Sequence, residues 1–366
     1  KWRRQRSGST AENMLHLKSF LRHLGTRVRI TFLKFMKNIL IIHHVKGFGG
    51  GLIALIGLIY QLKINNNVKV FSIFDGIAVE HLRESGVEVV VAKSSFYNKY
   101  YNLFIHSEAS YLGLGQQLLK LFSFFTYLIN KYCFAPMYLK ELIKGIDIVY
   151  LNSTFICDWA YAAKKWNKKV VIHIREPLSK NLIGNLIIRR NIRKYCDKII
   201  AISIDNSKRV GFPNKTSIIY DPVVISNRND HTKIIIKKNY KYFVYVGGEV
   251  RIKGFEQFVE SLKYLDNDIR IFFLGNKVKY NNTPLKRILR KIFDPYAIKH
   301  EKLKEKLKKS EKIINVGLTE NLFSYFNASL FLISPFSKPH ASLPVLEAFY
   351  YGLPVIDSDV VGMDEL

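Results

Sequence analysis

Short apolar runs alternate with longer segments of helical periodicity from Met36 onward. A short, wholly apolar run predicts a strand that is covered on both faces, as in a parallel sheet. Such runs are residues 39–43, 68–73, 87–92, 146–152, 169–174, 198–203 and 217–220. Helices are predicted after the first strand to about residue 62, across 107–144, over 159–166 and from Asn206. This alternation predicts a doubly wound α/β domain over residues 36–222.

A polar, proline-containing stretch at residues 223–240 interrupts this pattern, and we interpret it as a linker. Alternation resumes in residues 241–366, which predict a second Rossmann-like domain. Its predicted strands are residues 242–246, 269–274, 313–316, 330–334 and 354–358, and its predicted helices are 255–265 and one from Pro344. The basic segment 277–312 is expected to be a loop.

The first 35 residues do not fit the α/β pattern. They begin with the basic, polar stretch KWRRQRSGSTAEN and lack the long apolar core of a signal peptide. Residues 15–35 predict a basic amphipathic helix suited to an anionic bilayer surface, so we treat 1–35 as a basic N-terminal appendage. The apolar, aromatic segment 112–129 contains Lys120 and predicts a buried or interfacial helix rather than a membrane span.

Composition narrows the class of protein. The chain has 366 residues, 48% of them hydrophobic, which excludes global disorder. Its 57 Lys and Arg against 29 Asp and Glu give a net charge of +28 and favour an acidic partner: phosphate, nucleic acid or an anionic membrane. Much of the excess lies in residues 1–37 and 277–312, which solvated surfaces would also explain. Three cysteines without a CxxC pair favour a reducing compartment and give no sign of a structural zinc site.

Two glycine-rich turns follow predicted strands. Gly49, Gly50 and Gly51 precede an apolar helix, where free backbone amides favour a phosphate or a sugar, although a tight strand–helix turn would use the same glycines. Leu52 breaks the GxGxxG dinucleotide fingerprint. In the second turn, Arg251 and Lys253 follow Gly248 and would clamp a diphosphate, unless they are surface charges on a loop.

Two further segments carry candidate chemistry. In the first, Pro344 suits the first turn of a helix, and the backbone amides of the preceding residues would face a ligand. One turn later, Glu347 is a lone carboxylate among apolar neighbours, which favours hydrogen bonds to ribose hydroxyls. In the second, His173 ends a strand, where open α/β sheets bind ligands. It is either a ligand-binding or catalytic histidine, or a structural one paired with Glu176.

Together these segments resemble glycosyltransferase family 4, the retaining enzymes of the GT-B fold, over residues 36–366. The resemblance implies two Rossmann-like domains facing a cleft, with the acceptor on the N-terminal domain and the nucleotide sugar on the C-terminal one. In YVGGEVRIKGFEQFVESL, Lys253 matches the family's lysine, while Gly248 stands in place of its arginine and Arg251 is the expected substitute.

In PHASLPVLEAFYYGLPVI, Glu347 matches the second of the family's two glutamates, which holds the ribose. Pro339 replaces the first, and His340 is expected to take over part of its role. The resemblance maps the family's catalytic-site histidine to His173. Backbone amides of Ala341, Ser342 and Leu343 would bind the diphosphate. Family members continue beyond VVGMDEL, so the C-terminal domain is expected to be incomplete.

The resemblance implies a metal-independent, retaining transfer with no cofactor, using a UDP- or GDP-type sugar as co-substrate. The acceptor is expected to be a glycan or a lipid-linked molecule in cell-surface polysaccharide synthesis. We expect a cytoplasmic protein, peripheral on the inner face of the membrane, without a nucleic-acid partner. The alternatives are a non-catalytic nucleotide-sugar-binding relative and an NAD-dependent oxidoreductase.

Overall fold

Seven parallel strands form the first sheet of the computed structural model, which describes residues 36–111, 114–180, 182–224, 234–278, 293–319 and 321–366. The strands are β1 (Lys37–His43), β2 (Asn66–Ser72), β3 (Glu88–Val91), β4 (Ile148–Leu151), β5 (Lys169–Ile174), β6 (Lys198–Ala201) and β7 (Thr216–Ile218). Their order is β3-β2-β1-β4-β5-β6-β7, so the connections reverse direction between β1 and β4. This reversal is where open α/β sheets bind their ligands.

Helices cover both faces of this sheet. They are α1 (Gly50–Lys63), α2 (Ile77–Glu84), α3 (Leu114–Ile129), α4 (Ala135–Leu142), α5 (Trp159–Lys165), α6 (Leu182–Tyr195) and α7 (Ile204–Val210). In β1, Leu40 and Ile42 join one apolar cluster while Ile39 and Ile41 join the other. Successive side chains of a strand point to opposite faces, so a strand buried on both sides must be apolar throughout.

The second sheet has five parallel strands in the order β10-β9-β8-β11-β12. The strands are β8 (Lys241–Val246), β9 (Ile269–Leu274), β10 (Ile313–Gly317), β11 (Phe331–Ser334) and β12 (Val355–Asp357), and the helices are α8 (Phe255–Ser261), α9 (Pro295–Lys309), α10 (Leu322–Asn327) and α11 (Leu343–Tyr350). The topology reverses between β8 and β11. The predicted pair of doubly wound parallel-sheet domains is thus confirmed.

Several predicted elements need correction. Residues 295–309 of the basic segment form α9 rather than a loop, because Ala297, His300, Leu303 and Leu307 recur at helical spacing and are buried. Helices α2, α6 and α10 were not predicted. Helix α7 begins at Ile204, before Asn206, because the Ser203 hydroxyl accepts a hydrogen bond from the Asn206 amide at 3.0 Å.

Some predictions fall outside the described residues. They are the appendage at 1–35, residues 225–233 of the linker, residues 279–292 of the basic segment, and positions 112 and 113 of the aromatic helix. Within the part of the chain that the structure describes, no helix combines the length and the apolar character needed to cross a bilayer.

Side chains join the two sheet domains, which belong to one compact unit, Lys37–Leu366. The Tyr111 hydroxyl donates to Ser337 Oγ at 3.0 Å. The Glu365 carboxylate accepts hydrogen bonds from the backbone amides of Ile204 and Asp205 at the start of α7, and from the Tyr220 hydroxyl at 3.2 Å. These contacts hold the carboxyl ends of the two sheets near one another.

Candidate functional site

A cavity of about 260 Å³ lies between the carboxyl ends of the two sheets. The first domain contributes the loop before α1 and the start of that helix: Phe48, Gly49, Gly50 and Ile53. The second domain contributes the ends of β8, β9 and β10 and the first turns of α10 and α11. The cavity therefore lies where both sheet topologies favour a ligand.

Lys253 lines this cavity at the end of a short 3₁₀ turn after β8. The Tyr245 hydroxyl donates to the Lys253 carbonyl at 3.1 Å, and this hydrogen bond fixes the position of the turn. Gly254 follows with a φ of 75°, and a Cβ there would collide with the carbonyl of Pro335. Burial lowers the pKa of Lys253, and the nearby Glu347 charge opposes that shift. The cavity thus holds a partly desolvated ammonium group.

Glu347 lines the same cavity from the first turns of α11 and is 8% exposed. Burial raises the pKa of Glu347 to about 7, against the opposing effect of the Lys253 charge. Its neighbours Val345 and Ala348 are fully buried in the core, so the helix is anchored and the carboxylate has a fixed position. A carboxylate so placed is an acceptor for hydroxyl donors of a ligand.

Two helix N-termini converge at the cavity. Helix α1 begins at Gly50 and α11 at Leu343, and both residues line it. A Cβ added at Gly50 would lie 3.8 Å from Leu343 Cβ, so the two helix starts are in near contact. The first amides of a helix have no partner within the helix and carry partial positive charge. With Lys253 they favour an anionic group, as in a diphosphate.

Arg251 lies outside the cavity lining. Its guanidinium carbon is 3.9 Å from the ring centroid of Tyr111 and 3.8 Å from that of Tyr296, so the cation is sandwiched between two tyrosines. The structure therefore gives Arg251 a cation–π position rather than the expected position beside Lys253. Nor is Arg251 a simple surface charge on a loop, which was the alternative that the sequence left open.

Several of the other predicted donor residues do not line the cavity. Gly248 has a φ of 55°, and a Cβ there would lie 2.5 Å from the backbone nitrogen of Asn276. His340 stacks on Phe336 at 4.5 Å, and burial together with the Lys253 charge lowers the pKa of His340 to about 4. Ser342 is fully buried. Gly51, Gly248, His340, Ala341 and Ser342 are absent from the lining, whereas Gly49, Gly50 and Leu343 belong to it.

His173 lies near the end of β5, is 5% exposed and does not line the cavity. Its Nδ1 is 2.6 Å from the Tyr150 hydroxyl, and burial lowers the pKa of His173 well below its usual range. Glu176, the partner that a structural histidine was expected to have, instead accepts hydrogen bonds from Ser153 and Thr154. Nε2 of His173 is buried and has no hydrogen-bond partner among the described residues.

Sequence reasoning missed several lining residues. Gly275 and Asn276 follow β9, and Leu318 and Thr319 follow β10. Their position at the carboxyl ends of parallel strands was the available signal. Aromatic side chains were the other omission: Tyr351 after α11 and Phe323 in α10 face the cavity, with ring centroids 4.9 Å apart.

Comparison with known proteins adds a family signal to this geometry. Residues 226–366 match the family model of glycosyl transferases group 1. That stretch contains Lys253, Glu347 and every lining residue from the second sheet domain. The family signal and the cavity chemistry thus fall on the same part of the chain.

Two curated proteins are similar to the chain. An uncharacterized 41.2 kDa protein in the cps region of Klebsiella pneumoniae is 25% identical over 292 residues, 77% of this chain and 66% of that protein, slightly under two thirds of its length. An uncharacterized glycosyltransferase of Methanocaldococcus jannaschii is 24% identical over 310 residues, which cover 79% of this chain and 74% of the relative.

Among solved structures, HepE of Anabaena in complex with UDP and glucose is similar to the protein with a TM-score of 0.65. The two share 14% sequence identity, and the match covers 90% of this chain and 82% of HepE. With the sheet orders above, this likeness shows that the protein has the GT-B fold, and the predicted fold class is confirmed.

Proposed function

We propose that this protein is a glycosyltransferase that moves a sugar from a nucleotide diphosphate sugar to an acceptor hydroxyl. One observation carries the proposal: Lys253 and Glu347 face a single cavity between the carboxyl ends of two parallel sheets. A cation and a carboxylate at such a cavity suit the diphosphate and the ribose of one donor. The match of residues 226–366 to glycosyl transferases group 1 supports it.

The diphosphate would bind Lys253 and the first amides of α11, where desolvation strengthens the attraction. The ribose hydroxyls would donate to the Glu347 carboxylate. Asn276 and Thr319 offer hydrogen-bonding groups for the base at the ends of β9 and β10. The complex of HepE with UDP and glucose supports a UDP-type donor.

We propose that the transfer retains anomeric configuration and needs no metal. The bond between the anomeric carbon and the diphosphate oxygen breaks, and a bond to the acceptor oxygen forms on the same face. The acceptor's proton passes to the departing diphosphate, whose growing charge Lys253 stabilises. His173 would help to position the donor sugar from the first sheet. Its Nε2 is buried and has no partner among the described residues.

The acceptor is proposed to be a glycan or a lipid-linked molecule of cell-surface polysaccharide synthesis. The acceptor would approach from the first domain, whose glycine loop before α1 forms one wall of the cavity. Closure of the two domains around both substrates would exclude water and so limit hydrolysis of the donor.

A thermal-shift screen of UDP-, GDP- and other nucleotide sugars tests the donor assignment, because a bound ligand raises the melting temperature by mass action. We expect one nucleotide class to stabilise the protein and Glu347→Ala to abolish that shift. If no nucleotide sugar stabilises the protein, the donor assignment is wrong.

A non-catalytic nucleotide-sugar-binding protein is the second candidate. Two departures from the family pattern favour it, Gly248 and Pro339, which replace an arginine and a glutamate. A glycosyltransferase should slowly release free sugar from the bound donor, whereas a non-catalytic protein should not. Measuring this release with and without candidate acceptors distinguishes the two functions. Nucleotide binding without any turnover would favour the non-catalytic candidate.

A further inference from the structure

A second cavity, of about 570 Å³, lies in the first domain. Its lining includes three lysines, Lys46, Lys99 and Lys120, and no aspartate or glutamate among the described residues. Lys120 is partly buried, so its charge is screened less than those of the exposed Lys46 and Lys99. We call this the lysine cavity.

The three lysines are not neutralised within the described part of the chain. Lys46 Nζ lies 4.5 Å from the centroid of the Phe74 ring, a cation–π contact, and none of the three forms an ion pair with a described carboxylate. Three cations facing one cavity without a counter-charge repel one another. An anionic ligand with several oxygens would remove that repulsion.

His44 provides an independent sign of a ligand. It lines the lysine cavity and is 8% exposed, and its Nδ1 atom is buried without a hydrogen-bond partner among the described residues. A buried polar atom without a partner is costly, and a ligand atom would satisfy it. The lysine cavity thus combines uncompensated charge with an unsatisfied buried nitrogen.

Helix α3 links the lysine cavity to an apolar surface. Lys120 and Ser123 line the cavity from one side of α3. On another side, Leu121, Phe125 and Ile129 are 66%, 53% and 45% exposed, and their four-residue spacing places them on one face. An exposed apolar helix face next to clustered lysines is the arrangement that suits a bilayer interface.

The lysine cavity is also adjacent along the chain to the 260 Å³ cavity proposed above to bind the donor, which we call the donor cavity. The loop between β1 and α1 contributes His44 and Lys46 to the lysine cavity, and Phe48 and Gly49 to the donor cavity. A molecule anchored by its phosphate among the lysines would therefore extend its sugar or hydroxyl along a short loop toward the donor.

We propose that the lysine cavity binds the phosphate headgroup of a lipid-linked acceptor, while the exposed apolar face of α3 rests on the bilayer that holds that lipid. The inference deepens the proposed function and rests on it, because it assigns the acceptor class and its binding residues. It concerns the phosphate monoester or diphosphate of the acceptor rather than general attraction to an anionic membrane.

The test is sedimentation with phosphatidylcholine vesicles containing a small fraction of a polyprenyl phosphate. The triple variant Lys46→Ala, Lys99→Ala, Lys120→Ala should bind on the order of 100-fold more weakly, because each lysine near an anionic lipid contributes about fivefold. The control is Lys140→Ala, Lys144→Ala, Lys165→Ala, which removes the same charge from exposed positions of the same domain. It should bind nearly as well as the unaltered protein.

Three outcomes would overturn the proposal. They are equal binding to vesicles of matched charge that carry phosphatidylglycerol instead, unchanged binding by the first triple variant, and lysine-dependent binding of inorganic pyrophosphate without vesicle binding. Nucleotide-sugar binding by the unaltered protein is measured in parallel. If the unaltered protein does not bind nucleotide sugars, the donor assignment alone is wrong. Failure of the proposed function and failure of the lysine-cavity proposal are therefore distinguishable.

Discussion

Lys253 and Glu347 face the same cavity, and each acts on the other's pKa through its charge, without a hydrogen bond between the two side chains. The Lys253 ammonium therefore opposes the shift that burial imposes on the carboxyl group, yet the pKa of Glu347 still reaches about 7. A direct ion pair would occupy both groups. Their separation instead leaves both available to one extended anionic ligand.

Nucleotide-sugar affinity should depend on pH through Glu347. The carboxylate accepts hydrogen bonds from ribose hydroxyls better than the protonated acid does, so affinity should rise as pH increases through about 7 and level off above it. Between pH 6 and pH 8 the gain should be about tenfold. Calorimetry with UDP-glucose would measure it.

The variant Glu347→Gln is the control for this dependence. It should bind UDP-glucose weakly and with a flat pH profile. His340 does not titrate in this range, since the pKa of His340 is lowered to about 4. If the rise in affinity persists in Glu347→Gln, another group is responsible.

Removing the Lys253 ammonium should weaken donor binding specifically. A hydrogen bond to a charged group contributes about 1.5–3 kcal/mol, so Lys253→Ala should lower the affinity for a nucleotide sugar about 10- to 100-fold. Lys308→Ala removes an equal charge from an exposed position on α9 and should change the affinity little. Equal losses in the two variants would indicate long-range electrostatics instead of a contact.

An arginine placed at Gly248 should not form the diphosphate clamp that the resemblance to glycosyltransferase family 4 implies. Any Cβ at this φ of 55° is strained by about 1–2 kcal/mol, and here it also meets the backbone of Asn276. Gly248→Ala should therefore lower the free energy of unfolding more than Gly145→Ala does. Gly145 has a φ of 75° but nothing within 4 Å of an added Cβ. Gly145→Ala therefore measures the backbone strain alone, without a collision. Urea unfolding of both variants would measure the difference.

Arg251 should matter for stability more than for donor binding. Its two ring contacts at 3.9 Å and 3.8 Å would each contribute about 0.5–2 kcal/mol, so Arg251→Ala should destabilise the protein. Tyr111→Leu removes one of these rings and should have a smaller effect of the same sign. A loss of nucleotide affinity as large as that of Lys253→Ala would instead place Arg251 in the donor site.

The strands of both sheets were predictable because a parallel strand buried on two faces leaves an unbroken apolar run. The placement of Lys253 and Glu347 was predictable too, since each follows a strand or begins a helix at the ligand edge. Arg251 was not, because its tyrosine partners lie far away in the sequence and only the tertiary fold brings them together. Helix α9 was missed because its many lysines conceal the four buried positions.

The Glu365 carboxylate crosses from the second sheet domain to the amides that start α7 in the first. A negative charge at a helix N-terminus is stabilised by the helix dipole, so this contact helps to hold the two domains together. Any domain rotation that widens the cleft must first break this contact and expose the amides of α7 to water. Salt weakens such a charge–dipole contact, so a higher salt concentration should make separation of the two domains easier.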